Sequence, residues 1–202
     1  LRRLLDAQAE YQRTLQAYQN RLESANDRLR AESITDDVTG FHNTRFLHQY
    51  LDQRLEVARA ESEKIALIFF DMDSFKQVVD THGHLLGAKV LREVAQVVHS
   101  QLDLGDRIVR YGGDEFVVIL PGQGRSEGLG KAERMRDAIR ATRFLADEGL
   151  HVHVTASFGL AVFPDNAQDK KQLLLEADQC LFHSKHAGRN RISVRSKGRM
   201  AA

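Results

Sequence analysis

The apolar positions follow three different periods along the chain. At the N-terminus Leu1, Gln8, Leu15, Leu22 and Leu29 recur every seventh residue, with Leu4, Tyr11, Tyr18 and Ala25 on the neighbouring track. A heptad seam sustained over about four repeats, interrupted by Gln8, predicts a parallel two-stranded coiled coil over residues 1–35. A single amphipathic helix is the plainer alternative. The stretch ends in SITDDVTGFHN, where Asn43 is placed to cap a helix from Thr44 to Ala60 carrying Phe46, Leu47, Tyr50, Leu51 and Leu55.

KIALIFFDMD is a continuous apolar run ending in acids, the pattern of a strand covered on both faces. HLLGAKVLREVAQVVHSQL has helical period, with Leu86, Val90, Val94, Val97 and Val98 on one side. DRIVRYGGDEFVVIL reads as two strands joined by a glycine turn. GKAERMRDAIRATRF predicts a helix beginning near Gly130, HVHVTASFGLAVF a strand, and KKQLLLEADQCLFHSKHAG a helix stopped by Gly188. RNRISV closes as a strand. Helices packed over a sheet that contains antiparallel pairs place residues 36–198 in the α+β class.

Composition narrows the partners. The chain has 202 residues, 42% of them hydrophobic, and a formal net charge of +1. That balance argues against a nucleic-acid coat or a polybasic membrane binder, so phosphate binding has to come from a local site. Cys180 is the only cysteine, which excludes a disulfide framework and a cysteine-rich zinc site and suits a reducing, cytoplasmic setting. No apolar run is long enough to span a membrane. The chain opens on Leu1 inside a helical pattern, so a piece of a longer protein is expected, one free to be membrane-attached elsewhere.

The acids carry the candidate chemistry. Asp71 and Asp73 end the buried strand, where a carboxylate is costly without a compensating cation or donor. Asp114 and Glu115 sit on the hairpin expected beside it. Gly112 and Gly113 are expected to supply a positive-φ turn and to keep side chains away from a ligand. Convergence of Asp71 with Asp114 or Glu115 would make a hard oxygen site suited to magnesium, and two such ions can bridge a triphosphate. If a helix begins after Asp73, the N–H groups of Ser74, Phe75 and Lys76 can cradle phosphate. Lys185 and Arg189, at and beyond a helix end, can reach the same phosphates. Taken singly, each feature is as well explained by solvated loop residues.

The motifs DDVTGFHN, FFDMDSFKQVVDTHGHLLG, RYGGDEFVVILP, VTASFGLAVFP and ADQCLFHSKHAGRNRI, in that order, resemble the GGDEF family of bacterial diguanylate cyclases over residues 36–195. The resemblance implies a fold like the palm of nucleotide cyclases and polymerases. It also implies condensation of two nucleoside triphosphates into a cyclic dinucleotide with release of pyrophosphate. Each protomer would hold one nucleotide, so a homodimer through the N-terminal helix is implied, with an upstream sensor or receiver domain in the full protein. Carried onto this chain, the metal ligands are Asp71, the carbonyl of Met72 and Asp114. Glu115 would complete the metal or base role, with magnesium, or manganese in its place, as the ion. The phosphate contacts fall on Ser74, Phe75, Lys76, Lys185 and Arg189.

Two departures matter. Relatives read guanine with an Asn and an Asp at positions occupied here by Val79 and Ala88. A pocket that merely lacks a hydrogen-bonding partner discriminates weakly, so relaxed choice between GTP and ATP is expected. In this the chain partly resembles the hybrid-promiscuous branch that makes cyclic GMP-AMP, which has Ser where Ala88 stands. Many relatives also carry an inhibitory product site, R-x-x-D, where this chain has Asp103, Leu104, Gly105 and Asp106, so anionic product should be repelled. The competing expectations are a catalytically silent nucleotide-binding relay and a coiled-coil dimerisation piece. His151 and His153 share a strand face without a third ligand, His82 and His84 read as structural, and Cys180 has core spacing.

Overall fold

In the computed structural model every residue of the apolar run Ile65–Met72 is buried, and that run is an interior strand of the sheet. The structure describes residues 12, 15, 16, 18–21, 33–196 and 199–201. In chain order the elements are α1 (Thr44–Glu61), β1 (Ile65–Met72), α2 (Phe75–His99), β2 (Arg107–Gly112), β3 (Glu115–Pro121), α3 (Arg125–Ala141), a 3₁₀ turn (Ala146–Glu148), β4 (Ala156–Phe163), α4 (Lys170–His186), β5 (Ile192–Ser196) and β6 (Arg199–Ala201).

The sheet order is β2-β3-β1-β4-β5-β6. β1 pairs antiparallel with both β3 and β4, and β5 is parallel to β4. Side chains of β1 alternate between two cores. Ala66, Ile68, Phe70 and Met72 pack with Val90, Val94 and Val98 of α2 and Met135 and Ile139 of α3. Ile65, Leu67 and Phe69 pack with Leu47, Leu51 and Leu55 of α1 and Leu173, Ala177 and Leu181 of α4. This is the α+β arrangement the sequence predicts, with helices on both faces.

Local chemistry sets the helix ends. Asn43 caps α1, its side chain accepting from the Phe46 N–H at 3.2 Å. Asp169 caps α4 by accepting from the Gln172 N–H at 2.8 Å. α2 is one helical run broken at Gly83, whose φ of 83° and ψ of 165° turn the chain between its short first part and its long second part. α4 lies directly on β4: a Cβ at Gly159 would come within 2.1 Å of the Ala177 carbonyl oxygen and 2.2 Å of the Leu181 nitrogen.

Three expectations change. α3 begins at Arg125, so Lys131 stands inside the helix and not at its start. Residues 151–155 are outside β4, with only Val152 bridging to Phe144. Gly112 ends β2 in ordinary backbone, and Gly113 alone takes a positive φ, 55°. The chain divides into two compact units, Leu1–Ile34 and Thr35–Ala202. Most of the heptad seam lies outside the described residues. Residues 12, 15, 16 and 18–21 are helical, and Leu15 and Tyr18 are exposed.

Candidate functional site

Strand register brings the acids to one end of the sheet. Asp71 stands opposite Glu115 on β3 and Ser157 on β4. It follows Phe69 on the side of β1 that faces α4. From the last turn of α4, Lys185 places Nζ 2.8 Å from Asp71 Oδ2. Burial pushes the Asp71 carboxyl up to about 6; Lys185 opposes the push, while Asp114 and Glu115 add to it. Burial likewise raises Glu115, against Lys185 and with Asp114 and Asp178. These carboxylates therefore sense one another across the hairpin. Among the described residues, no group of three or more His, Cys, Asp or Glu side chains is arranged to hold a metal ion.

The hairpin itself is tied down from two sides. The Met72 N–H donates to the Asp114 carbonyl at 3.3 Å. Arg110 Nε and Nη2 donate to the Gly113 carbonyl at 3.0 and 2.7 Å. The remaining Nη1 reaches both oxygens of Asp36 at 3.2 and 3.1 Å. Asp36 in turn accepts from the N–H and the hydroxyl of Thr39, each at 2.8 Å. Burial would raise the Asp36 carboxyl, but the Thr39 hydrogen bonds and the Arg110 guanidinium outweigh it and hold the carboxyl below its usual range. The pairing of Arg110 with Asp36 spans 74 positions, and its one local signal is an arginine two places before the paired glycines.

Ser74 adopts left-handed backbone, φ 58°, and α2 starts at the next residue. Its side chain makes no capping bond. The Gln77 N–H donates to the Ser74 carbonyl at 2.9 Å, and the N–H groups of Phe75 and Lys76 stand at a helix start without a side-chain cap. Lys76 and Arg189 are exposed, and neither forms an ion pair among the described residues. Asp73 belongs to a different set: both its oxygens are engaged by protein donors.

Beside the hairpin a cavity of about 250 Å³ is lined by Val38, Phe75, Val79, His84, Gly87, Ala88, Leu91, Arg110, Gly113 and Asp114. Val79 and Ala88 therefore line one cavity, and His84 is exposed at its wall. Val79 crowds the floor: a Cβ at Gly87 would approach Val79 Cγ2 to 2.9 Å.

The R-x-x-D position has been rebuilt around a buried lysine. Lys131, 2% exposed, donates to Asp103 at 2.8 Å and makes a short contact with Asp106. Asp106 also accepts from Gln123 at 2.8 Å and from the Asp103 N–H at 2.8 Å. Cys180 is fully buried and burial pushes its thiol up to about 11, so it is inert at neutral pH. His151 and His153 are exposed.

The sequence model described as "Diguanylate cyclase, GGDEF domain" matches residues 33–191. "Diguanylate cyclase DosC" of Escherichia coli is 33% identical over 165 residues, 82% of this chain and 36% of that protein. Among solved structures, the diguanylate cyclase SiaD of Pseudomonas aeruginosa, in complex with its activator SiaC, superposes with a TM-score of 0.76 at 30% identity. The match covers 96% of this chain and 74% of that one. The coiled coil and GGDEF domain of DgcB from Caulobacter crescentus, in complex with c-di-GMP, gives 0.76 at 27% identity, covering 89% and 95%. The chain spans about a third of the length of DosC. By its sequence, and by the acid-tipped hairpin beside β1, this chain belongs to the diguanylate cyclase GGDEF-domain family.

Proposed function

We propose that the chain is a metal-dependent dinucleotide cyclase that condenses two nucleoside triphosphates, one held by each of two facing domains, into a cyclic dinucleotide. The observation that carries this is the convergence of Asp71, Asp114, Glu115 and Lys185 next to the open start of α2. In the reaction a ribose hydroxyl of each nucleotide attacks the α-phosphorus of the other. Two phosphodiester bonds form, two pyrophosphates leave and two hydroxyl protons are lost.

The three acidic side chains are not arranged as a metal cluster, but the chemistry of the donors at this end of the sheet suits a divalent cation. The donors are all oxygen: the carboxylates of Asp71, Asp114 and Glu115, and the Met72 carbonyl. The Asp71 carboxyl is raised chiefly by burial, with Asp114 and Glu115 adding to the rise, and an ammonium sits on it, which marks a place that attracts positive charge. Magnesium or manganese is the matching hard ion. When bound it would supply charge neutralisation at the phosphates. The chain's own part is separable. The first-turn N–H groups of α2 bind phosphate oxygens, Lys76, Lys185 and Arg189 offset the charge of the departing pyrophosphate, and Arg110 fixes the hairpin that carries the acids.

Base choice is proposed to be relaxed. The polar side chains lining the base cavity are His84, Arg110 and Asp114, and two of the places lining it are taken by Val79 and Ala88. Nothing at those two positions accepts from the pairing edge of guanine or rejects the ring acceptor of adenine. GTP is the expected substrate by family, with ATP admitted and cyclic GMP-AMP formed from the mixture. Mass spectrometry of incubations with GTP, with ATP and with both, in magnesium, tests this. Cyclic di-GMP from GTP and a mixed product from the pair are expected; no cyclic product in any incubation would reject the reading. The same loss of base contacts favours a second reading, a silent nucleotide-binding relay, which calorimetric binding without turnover would support. The family resemblance and the heptad period support a homodimer through residues 1–35 beneath an upstream input domain. No helix among the described residues is long and apolar enough to cross a membrane.

A further inference from the structure

Asp73 stands two residues after Asp71, yet protein donors hold both of its oxygens. Oδ1 accepts from Ser157 Oγ at 2.7 Å. Oδ2 accepts from Thr155 Oγ1 at 2.6 Å and from the backbone N–H of Asn190 at 3.0 Å. Its own N–H donates to the Thr155 carbonyl at 2.8 Å. Four segments meet on this one residue: the end of β1, the opening of α2, the entry to β4 and the turn that leaves α4.

The contact with Asn190 is the informative one. Arg189 and Asn190 are both left-handed, with φ of 60° and 48°. Non-glycine residues hold such backbone only where their surroundings fix it. The side-chain oxygen of Asn190 is buried without a hydrogen-bond partner, so that atom does not anchor the turn. The Arg189 N–H donates to the Ser184 carbonyl at 3.0 Å, and the Arg191 carbonyl accepts from the Phe158 N–H at 2.8 Å. Those bonds hold the two flanks, and Asp73 holds the middle. Oδ2 accepts two donors and has no free lone pair left, and Oδ1 accepts a third, so Asp73 is engaged by protein where Asp71 meets the Lys185 ammonium.

We infer that Asp73 is a positioning residue for triphosphate binding: through hydrogen bonds, it holds the Arg189–Asn190 turn in register with the N–H groups that open α2. The inference rests on the triphosphate reading above. It separates hydrogen bonding from charge. In Asp73→Asn the amide oxygen can take the place of Oδ2, and the amide nitrogen can donate to Ser157, whose hydroxyl turns to accept. In Asp73→Ala every one of these side-chain bonds is lost.

The test is titration calorimetry of the full chain with a non-hydrolysable GTP analogue in magnesium, beside steady-state kinetics and thermal melting. Asp73→Ala is expected to weaken analogue binding about tenfold and to raise KM more than it lowers kcat. Asp73→Asn is expected to stay within about threefold of the unaltered protein. Binding by Asp73→Ala within twofold of the unaltered protein overturns the inference. So does an Asp73→Asn variant as damaged as Asp73→Ala, because charge would then be what matters. A merely structural role would reduce the folded fraction and leave KM alone, and that outcome also overturns it. Should Asp73→Ala fail to fold, Thr155→Val with Ser157→Ala leaves Asp73 in place on fewer donors. Weakened binding is then expected, and unchanged binding overturns the inference. If the unaltered protein neither binds the analogue nor turns over nucleotide, the triphosphate reading itself fails and takes this inference with it.

Discussion

Lys185 Nζ, in the last turn of α4, lies 2.8 Å from Asp71 Oδ2 at the end of β1, joining two elements far apart in sequence. Lys185 opposes the rise of the Asp71 carboxyl and adds positive charge where phosphate is proposed to bind. Lys185→Met should therefore lower kcat/KM for the nucleotide by about 10²-fold, the scale for losing one preorganised electrostatic contact. Initial-rate kinetics check this. A variant as active as the parent would remove Lys185 from the account.

The reach of Lys185 depends on how closely α4 lies on β4. Any side chain at Gly159 would strike the backbone of α4, at 2.1 Å from the Ala177 oxygen. Backbone cannot move aside as the end of a flexible side chain can. Gly159→Ala should cost about 3 kcal/mol, the upper part of the range for overpacking, and should reduce activity as α4 is displaced. Urea denaturation measures the stability change, and an unchanged midpoint contradicts the packing described.

Asp36 and Arg110 give a pH signature. The folded-state carboxyl of Asp36 is held below its ordinary value by Thr39 and Arg110, against burial. A depressed carboxyl contributes stability above the unfolded pKa, and that contribution is lost as pH falls through the folded value. The melting temperature of the parent should exceed that of Asp36→Asn at pH 7, and the gap should close below about pH 4. A gap independent of pH would mean that the ion pair contributes nothing.

Lys131 is buried between Asp103 and Asp106, and Asp106 is itself buried. Lys131→Met leaves the Asp106 charge without its cation and should cost about 3 kcal/mol. Adding Asp106→Leu should recover part of the loss, since the stranded charge is then gone too. Denaturant midpoints of the single and double variants decide this. The same pair of acids, already engaged by protein, offers nothing to an anionic product, so added cyclic dinucleotide should not slow the initial rate through this loop.

Legibility in the sequence followed the physics of each element. β1 was readable because a strand covered on both faces must be apolar throughout, and α1 because Asn43 precedes a clean 3.6-residue period. The acids were readable because carboxylates ending such a strand need a reason. What escaped was long-range. Nothing local marks Lys131 as buried, since its partners lie 28 and 25 positions away. Asp73 reads in the sequence only as a costly carboxylate at a strand end; its donors Thr155, Ser157 and Asn190 come from distant segments. The glycine pair reads as one turn device, but the register shift between Arg110 and Gly112 lets Gly112 finish the strand and leaves the left-handed position to Gly113.

The central claim is that Asp71, Asp114 and the Met72 carbonyl share a divalent ion above a bound triphosphate. A crystal structure of the chain with magnesium and a non-hydrolysable GTP analogue tests it most directly. The account predicts an ion touching both carboxylates, with phosphate oxygens on the N–H groups that open α2. An ordered complex in which Asp71 and Asp114 contact no common ion would contradict it.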